Sequence, residues 1–161
     1  MATPALARDV EIERGNSDDL DCVMRVMHAA FGDSYGEAWT RSQLAGILPM
    51  AGVTLSIARE PDKEEVLGFS LVRTVADEAE LLLLAVLPAT HRQGIGRKLL
   101  DDFVEHAASE GAGRVHLEVR DGNPAVSMYL AAGFSPVGRR RNYYCGSDGR
   151  RHDAVTLAQA L

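Results

Sequence analysis

The sequence is poor in cysteine and has no long apolar segment. Its two cysteines, Cys22 and Cys145, lie far apart and form no CxxC pair, which excludes a disulfide framework and favours reduced thiols in a cytoplasmic protein. The longest apolar run, LLLLAVL, has seven residues, whereas a membrane helix needs about 20. The first ten residues lack the apolar core of a signal peptide. We therefore expect a cytoplasmic protein without a membrane segment.

An excess of positive charge is also missing. The 161 residues carry a net charge of −6, which argues against unspecific binding to polyanions and mildly favours basic partners. One segment departs from this balance: GRRRNYYCGSDGRR, residues 138–151, holds five arginines and two adjacent tyrosines. Arginines interleaved with aromatic residues are typical of nucleic-acid sites, so an RNA- or ribosome-binding module is one hypothesis. The five histidines show no metal-ligand spacing, so no metal is expected.

The order of elements predicts a single α/β domain spanning residues 1–161. The patterns indicate a strand, two helices, three strands, a helix, a strand, a helix and two strands, which build a mixed, mostly antiparallel sheet flanked by helices. Thr40 is expected to cap the second helix. The leucine run after Glu78 predicts a central strand covered on both faces. Asn123-Pro124 predicts a helix with Asn123 as its N-cap.

Residues 137–145 and 152–158 predict a final hairpin around the turn GSDG. Strict alternation would place Arg139, Arg141 and Tyr143 on one face and the intervening residues on the other. Half of the arginines would then be unavailable to one RNA strand, which favours a hairpin over a nucleic-acid site.

A glycine loop follows the leucine-rich strand and opens a helix. The stretch LPATHRQGIGRKLL allows several backbone N–H groups to point into one concavity at a helix N-terminus, which suits phosphate groups. The loop lacks the GK[ST] of a Walker motif and the third glycine of a dinucleotide fingerprint. A tight turn without a ligand accounts for the glycine spacing about equally well.

The segment His91-Arg92-Gln93-Gly94-Ile95-Gly96 resembles the pyrophosphate loop Q/R-x-x-G-x-G/A of the GCN5-related N-acetyltransferase (GNAT) family, with His91 in place of the leading Gln or Arg. The resemblance implies the GNAT fold and acetyl-CoA as co-substrate. It also implies which residues bind that co-substrate: the preceding strand, the loop and an asparagine, here Leu84, Ala85, Val86, Arg92, Gln93, Gly94, Ile95, Gly96, Arg97 and Asn123.

Further motifs resemble the bacterial branch of this family that acetylates the N-terminal alanine of a small-subunit ribosomal protein. They are EAELLLLAVLP, LEVRDGN, MYLAAGF and RRRNYY…DGR, from about Glu78 to Ala154, with EAWTRSQL around Trp39 as a weaker match. The resemblance implies a peptide N-terminus of a basic ribosomal protein as partner. We expect no membrane and no direct nucleic-acid binding, and a monomer or weak dimer. Trp39, Tyr143 and Tyr144 are the candidate acceptor-binding residues.

The same resemblance assigns Glu118 as general base and Tyr129 as proton donor to the leaving thiolate. An α-amine with a pKa near 8 is roughly a tenth neutral at pH 7, so it demands less of a base than a lysine. A glutamate of ordinary pKa needs either a raised pKa or a relaying water. An ordinary tyrosine nearly matches the pKa of an alkyl thiol, about 10. Pairing of Glu118 with Arg120 or His116 is the structural alternative, and Glu80 and His116 are the other candidate bases.

One spacing departs from the family. Asn123 and Tyr129 are six positions apart where the family usually has seven, which puts the role of Asn123 in question more than that of Tyr129. Two other functions stay open: a GNAT enzyme acting on another protein N-terminus or on a small-molecule amine, and the RNA- or ribosome-binding module.

Overall fold

The computed structural model describes residues 9–161, so the N-terminal segment considered for a signal peptide lies outside it. The described chain forms seven strands and four helices in the predicted order. Their bounds are β1 Glu11–Arg14, α1 Leu20–Phe31, α2 Arg41–Ile47, β2 Val53–Arg59, β3 Gly68–Val75, β4 Glu78–Val86, α3 Ile95–Ser109, β5 Arg114–Arg120, α4 Val126–Ala131, β6 Ser135–Cys145 and β7 Arg151–Ala160.

Side-chain caps fix where the first helices begin. Asn16 accepts a hydrogen bond from the Asp18 N–H and closes a capping box with Asp19, ahead of a single 3₁₀ turn that leads into α1. Thr40 caps α2 as predicted and forms a second capping box with Gln43. Each box satisfies two backbone donors that a helix start would otherwise leave unpaired. The two boxes thereby fix the N-terminal ends of the α1 and α2 segments.

The strands form one sheet in the order β1-β2-β3-β4-β5-β7-β6. Only β4 and β5 are parallel, and the other neighbouring pairs are antiparallel. The prediction of a mixed, mostly antiparallel sheet is therefore confirmed. β6 forms the exposed edge next to β7, so the segment 138–151 is the final hairpin, as expected.

The central strand β4 is covered on both faces, as its leucine run predicted. Alternate residues of a strand point to opposite faces. On the neighbouring β3, Phe69 and Leu71 pack with the α1 residues Val23 and Met27, whereas Val72 packs with the α3 residue Phe103. α1 and α3 therefore cover opposite faces, and both helices contact β4.

A bulge in β4 opens the sheet at its centre. Leu71 pairs with Leu83 but Val72 pairs with Leu81, so Leu82 is an extra residue. A bulge bends its strand away from the regular ladder. β4 and β5 pair from Glu78 and Arg114 only as far as Leu81 and Leu117, although both strands continue. Beyond that point the two strands part.

The strict alternation predicted for β6 is wrong. Arg140 pairs with Ala154, and Tyr144 pairs with His152. The four positions from Arg140 to Tyr144 on β6 therefore lie opposite only two positions on β7. The surplus residues bulge out, with Asn142 in the left-handed region at φ 56°. The Asn142 N–H donates to Asp153 Oδ1 over 2.9 Å and anchors the bulge. Tyr143 and Tyr144 therefore do not lie on opposite faces.

The predicted start of α4 is also wrong. The helix begins at Val126 with Ala125 as its N-cap, not at Pro124 after Asn123. The Asn123 side-chain oxygen instead accepts from the Ala125 N–H over 2.9 Å, which forms a turn ahead of the helix. Among residues 9–161, no helix is long and apolar enough to cross a membrane.

Candidate active site

A cleft of about 770 Å³ occupies the opening between β4 and β5. Its walls are the C-terminal halves of these two strands, the glycine loop, α4, the loop before α2, and the bulged part of β6. The residues that line it include Tyr35, Glu37, Trp39, Glu80, Leu84, Ala85, Val86, Arg92, Gly94, Ile95, Gly96, Arg97, Glu118, Arg120, Asn123, Met128, Tyr129, Tyr143 and Tyr144.

The glycine loop presents backbone donors at one end of the cleft. Arg92 and Gly94 adopt the left-handed region, at φ 64° and 79°. The first bond of α3 runs from the Lys98 N–H to the Gly94 carbonyl, so the N–H groups of the three preceding residues have no partner within the helix. With the positive end of the helix dipole, they form a site suited to an anion.

His91 anchors the loop where the family motif has Gln or Arg. Its Nε2 lies 3.1 Å from the Val86 carbonyl oxygen, across the end of β4. Gly96 has a different task from Gly94, because a Cβ there would lie 3.3 Å from Met128 Sδ. Gly96 thus lets α3 approach α4 closely. Gln93 is the one loop residue of the predicted set that does not line the cleft.

Glu118 lies where β4 and β5 have parted, with 15% of its side chain exposed. Neither Arg120 nor His116 pairs with it, contrary to the structural alternative considered from the sequence. Its Oε1 instead lies 2.7 Å from Nε of Arg140 on β6. The carboxylate therefore faces both the cleft and an arginine contributed by the final hairpin.

The other two candidate bases form a separate pair on neighbouring strands. Glu80 stands opposite His116 in the parallel ladder, and Glu80 Oε2 lies 3.7 Å from His116 Nε2. His116 Nδ1 also lies 3.9 Å from Glu78 Oε2. A second cavity of about 180 Å³ is lined by Arg73, Val75, Glu78, Glu80 and His116. In residues 9–161 there is no group of three or more His, Cys, Asp or Glu residues that could hold a metal ion.

Tyr129 reaches the cleft from α4 and packs edge-on against Phe134, with ring centroids 6.2 Å apart. Burial, reinforced by the negative charge of Glu37, raises the pKa of the Tyr129 hydroxyl well above that of an ordinary tyrosine. Burial and Glu37 also raise the pKa of Tyr144, with smaller contributions from Tyr143, Glu118 and Tyr129. Both hydroxyls are therefore held in the protonated, donating form.

Glu37 organises this end of the cleft and was not found from the sequence. Its Oε1 accepts from Arg120 Nε over 3.2 Å, and its Oε2 accepts from Asn123 Nδ2 over 2.9 Å. Only 10% of each side chain of the Glu37–Arg120 pair is exposed. The guanidinium of Arg120 also stacks over the Tyr35 ring, 3.6 Å from its centroid. The side-chain oxygen of Asn123 accepts from the Ala125 N–H, so both polar ends of the Asn123 amide are engaged within the protein.

The three candidate acceptor residues meet at the mouth of the cleft. Trp39 comes from the loop before α2, and Tyr143 and Tyr144 come from the bulge of β6, with ring centroids 4.9 Å apart. The two segments are closely packed: a Cβ on Gly36 would lie 2.1 Å from the Cys145 carbonyl oxygen. The bulge that breaks the alternation therefore brings both tyrosines to the cleft.

Acidic partners neutralise much of the arginine-rich segment. Arg139 donates to Asp121 Oδ2 over 2.8 Å and to Asp153 Oδ2 over 2.9 Å, and Arg140 pairs with Glu118. Arginines paired within the protein cannot also neutralise phosphates without losing these contacts. This arrangement disfavours the nucleic-acid hypothesis.

The comparisons with known proteins agree with this geometry. Residues 23–134 match the model of the acetyltransferase (GNAT) family. The chain is 36% identical over 97 residues to the [ribosomal protein bS18]-alanine N-acetyltransferase of Haemophilus influenzae, over 60% of this chain and 66% of that protein. It is 40% identical over 92 residues to the Escherichia coli K12 protein of the same name, over 56% of this chain and 62% of that protein. The matched part thus spans just under two thirds of these two relatives.

Similarity in three dimensions extends further along the chain. The crystal structure of the ribosomal-protein-S18-alanine N-acetyltransferase from Escherichia coli superimposes with a TM-score of 0.84 at 28% sequence identity, over 94% of both chains. The family match covers the α1–α4 region that carries the glycine loop, Glu118 and Tyr129. The chain belongs to the acetyltransferase (GNAT) family.

Proposed function

We propose that this protein transfers the acetyl group of acetyl-CoA to the α-amine at the N-terminus of a protein, specifically to the N-terminal alanine of a small-subunit ribosomal protein. It would act in the cytoplasm as a monomer or weak dimer. The observation that carries the proposal is one cleft that joins backbone donors, Glu118, Tyr129 and an aromatic mouth. The names of the similar bacterial proteins supply the acceptor.

The residues around the cleft fit acetyl-CoA, which would supply the acetyl thioester. The N–H groups of Ile95, Gly96 and Arg97 are available to phosphate oxygens at the start of α3. Beyond Leu81, the edge of β4 does not pair with β5, so Leu84 to Val86 can offer backbone groups to an extended ligand. We assign Gln93 a supporting position in the loop. Because Glu37 and Ala125 engage its side chain, Asn123 orients the turn before α4.

Glu118 is the proposed base because it lines the cleft one residue beyond the last β4–β5 pair, where the two strands have already parted. An α-ammonium with a pKa near 8 becomes nucleophilic when it loses a proton, and Glu118 could take that proton directly or through water. Glu80 is less suited, since it faces His116 at the paired end of the strands.

Tyr129 is proposed as the donor to the departing sulfur. The pKa of Tyr129 is raised. Complete transfer of its proton to a thiolate of ordinary pKa is therefore less favourable than transfer from an ordinary tyrosine. We therefore propose that the hydroxyl stabilises the sulfur mainly by donating a hydrogen bond while charge develops there.

Trp39, Tyr143 and Tyr144 would surround the first residue of the acceptor. Aromatic rings offer large, rigid contact surfaces, and a crowded mouth favours a small first side chain such as alanine. The acidic net charge would also favour a basic protein.

The test is an acetylation assay followed by intact-mass spectrometry. The purified protein is incubated with acetyl-CoA and a peptide that starts with alanine and has the sequence of the cognate ribosomal protein. The same peptide with a blocked N-terminus, a peptide starting with a bulky residue, and small amines such as polyamines serve as comparisons. We expect one acetyl group on the free alanine peptide alone. Preferential acetylation of the small amines would overturn the protein acceptor, and no transfer to any amine would overturn the activity.

A further inference from the structure

An exposed cation covers the carboxylate of the proposed base. Arg140 Nε lies 2.7 Å from Glu118 Oε1, and 63% of the Arg140 side chain is exposed against 15% for Glu118. Arg140 stands just before the bulge of β6, whereas Glu118 lies on β5. An exposed residue at the sheet edge thus supplies the counter-charge for a nearly buried residue inside the cleft.

We propose that Arg140 holds the place of the acceptor's ammonium: it pairs with Glu118 while no acceptor is bound, and the incoming α-ammonium displaces it. This inference rests on the proposed function. It identifies Arg140 as a specificity-determining residue that selects a free, positively charged N-terminus.

The two side chains differ in exposure, so the exchange has a different free-energy cost for each. Moving Arg140 into water costs little, whereas leaving Glu118 without a partner costs more. Arg140 is mostly exposed, so its guanidinium loses little when it moves back into water. Glu118 is largely removed from water, so an unpaired carboxylate there is costly. The site therefore favours having one cation against Glu118 at all times, and a second cation competes for that position.

Arg140 also contacts an aromatic ring while it is paired with Glu118. Its guanidinium carbon lies 5.5 Å from the centroid of the Tyr143 ring, within the range of a cation–π interaction. Tyr143 is itself half exposed and lines the mouth of the cleft. The Tyr143 ring thus lies beside the guanidinium and offers it a contact that does not depend on Glu118.

The exchange also separates substrate from product. A free N-terminus carries a positive charge that can take the place of Arg140. The acetylated N-terminus is a neutral amide and cannot compete with a guanidinium for a carboxylate. Once the proton taken from the ammonium has passed from Glu118 to water, Arg140 would return to the carboxylate and favour release of the acetylated chain.

The experiment compares binding of two peptides to Arg140→Gln by calorimetry, with CoA present so that no transfer occurs. One peptide starts with a free alanine, and the other is the same peptide acetylated at its N-terminus. We expect Arg140→Gln to bind the free peptide about three- to tenfold more tightly than the wild type, because a competing ion pair of up to roughly 1.4 kcal/mol is gone. Binding of the acetylated peptide should not change.

Arg141→Gln is the matched control, because it removes the same charge from the adjacent exposed residue, whereas the ion pair with Glu118 is made by Arg140. It should alter neither binding constant by more than about twofold. Arg140→Lys, which keeps a cation, should lie between wild type and Arg140→Gln. Equal shifts for both peptides, an unchanged affinity, or weaker binding of the free peptide would overturn the inference.

Acetyl transfer by the wild type is measured separately with the free peptide. The wild type could acetylate the free peptide while Arg140→Gln binds that peptide no more tightly than the wild type. This result would overturn the exchange and leave the proposed function standing. If the wild type neither binds nor acetylates the free peptide, the proposed function fails, and the exchange fails with it.

Discussion

The side-chain amide of Asn123 donates to Glu37 Oε2 over 2.9 Å, so the turn before α4 is tied to the loop before α2. The other oxygen of Glu37 binds Arg120 at the end of β5. One buried carboxylate therefore connects three segments that enclose the cleft, one of which leads to Tyr129. A change at Glu37 should affect stability as well as the shape of the site.

Replacing Glu37 by alanine should lower the free energy of unfolding by about 3 kcal/mol, because it leaves Arg120 nearly buried without its partner. Urea unfolding measures the loss. Glu78→Ala, which removes the half-exposed partner of Arg114, is the control and should cost less than about 1 kcal/mol. Similar losses for the two variants would show that the Glu37–Arg120 pair contributes no more than a surface pair.

Gly36→Ala should disrupt the mouth of the cleft. At φ 72° an alanine is strained, and its Cβ would lie 2.1 Å from the Cys145 carbonyl oxygen. We expect a loss of about 2–4 kcal/mol and a raised KM for the acceptor peptide with little change in the KM for acetyl-CoA. Gly111→Ala has a similar φ of 88° but open space around the new Cβ, so it should cost only about 1 kcal/mol. If both variants lose the same amount, the contact with Cys145 is unimportant.

Tyr129→Phe should make the protein less sensitive to alkaline pH. The folded-state pKa of Tyr129 is raised, so folding favours its protonated form. That contribution is fully present below the unfolded pKa of about 10 and is lost as pH rises further, by about 1.4 kcal/mol per pH unit. Urea midpoints of wild type and variant at pH 8 and pH 11 measure the difference. A parallel decline of the two proteins would contradict the burial of this hydroxyl.

The same variant should lower kcat for acetyl transfer about 10- to 100-fold at pH 7, with nearly unchanged KM values, because the ring still packs against Phe134. Steady-state kinetics with the alanine peptide measure both constants. An unchanged kcat would exclude Tyr129 as the donor.

Glu118→Gln should lower kcat/KM for the peptide at least about 100-fold, since glutamine cannot accept the proton. Glu80→Gln is the control, because it removes a carboxylate that also lines the cleft but faces His116, and it should cost less than about fivefold. Stopped assays at several pH values provide the comparison. Should Glu80→Gln have the larger effect, the roles of the two residues are reversed.

Local patterns in the sequence were sufficient for most of the fold. The capping boxes at Asn16 and Thr40, the alternation of β5 and the glycine loop depend on residues close together in the chain, so they can be recognised from spacing. The splay of β4 from β5 could not be predicted in this way. It depends on the bulge at Leu82, which only the register with β3 reveals.

The site residues that escaped prediction depend on distant contacts. Glu37 lies 83 positions from Arg120 and 86 from Asn123, and a lone glutamate in a loop carries no periodic signal. The pairing of Arg140 with Glu118 was missed for a related reason. The two residues lie on β5 and β6, which are separated by β7 in the sheet, and the local pattern of neither strand indicates which side chains meet across it. Cofactor and acceptor roles for the predicted residues stay predictions until binding is measured.

The parting of β4 and β5 has a consequence for which molecules can pair with the free edge of β4. An unpaired strand edge can normally recruit the strand of another molecule. Here the unpaired part of β4 lies in the middle of a seven-stranded sheet, with the end of β5 across the cleft from it. Another folded chain could reach this edge only by displacing β5. The unpaired backbone groups of β4 are therefore accessible to a thin, extended molecule but not to the β-sheet of another folded protein.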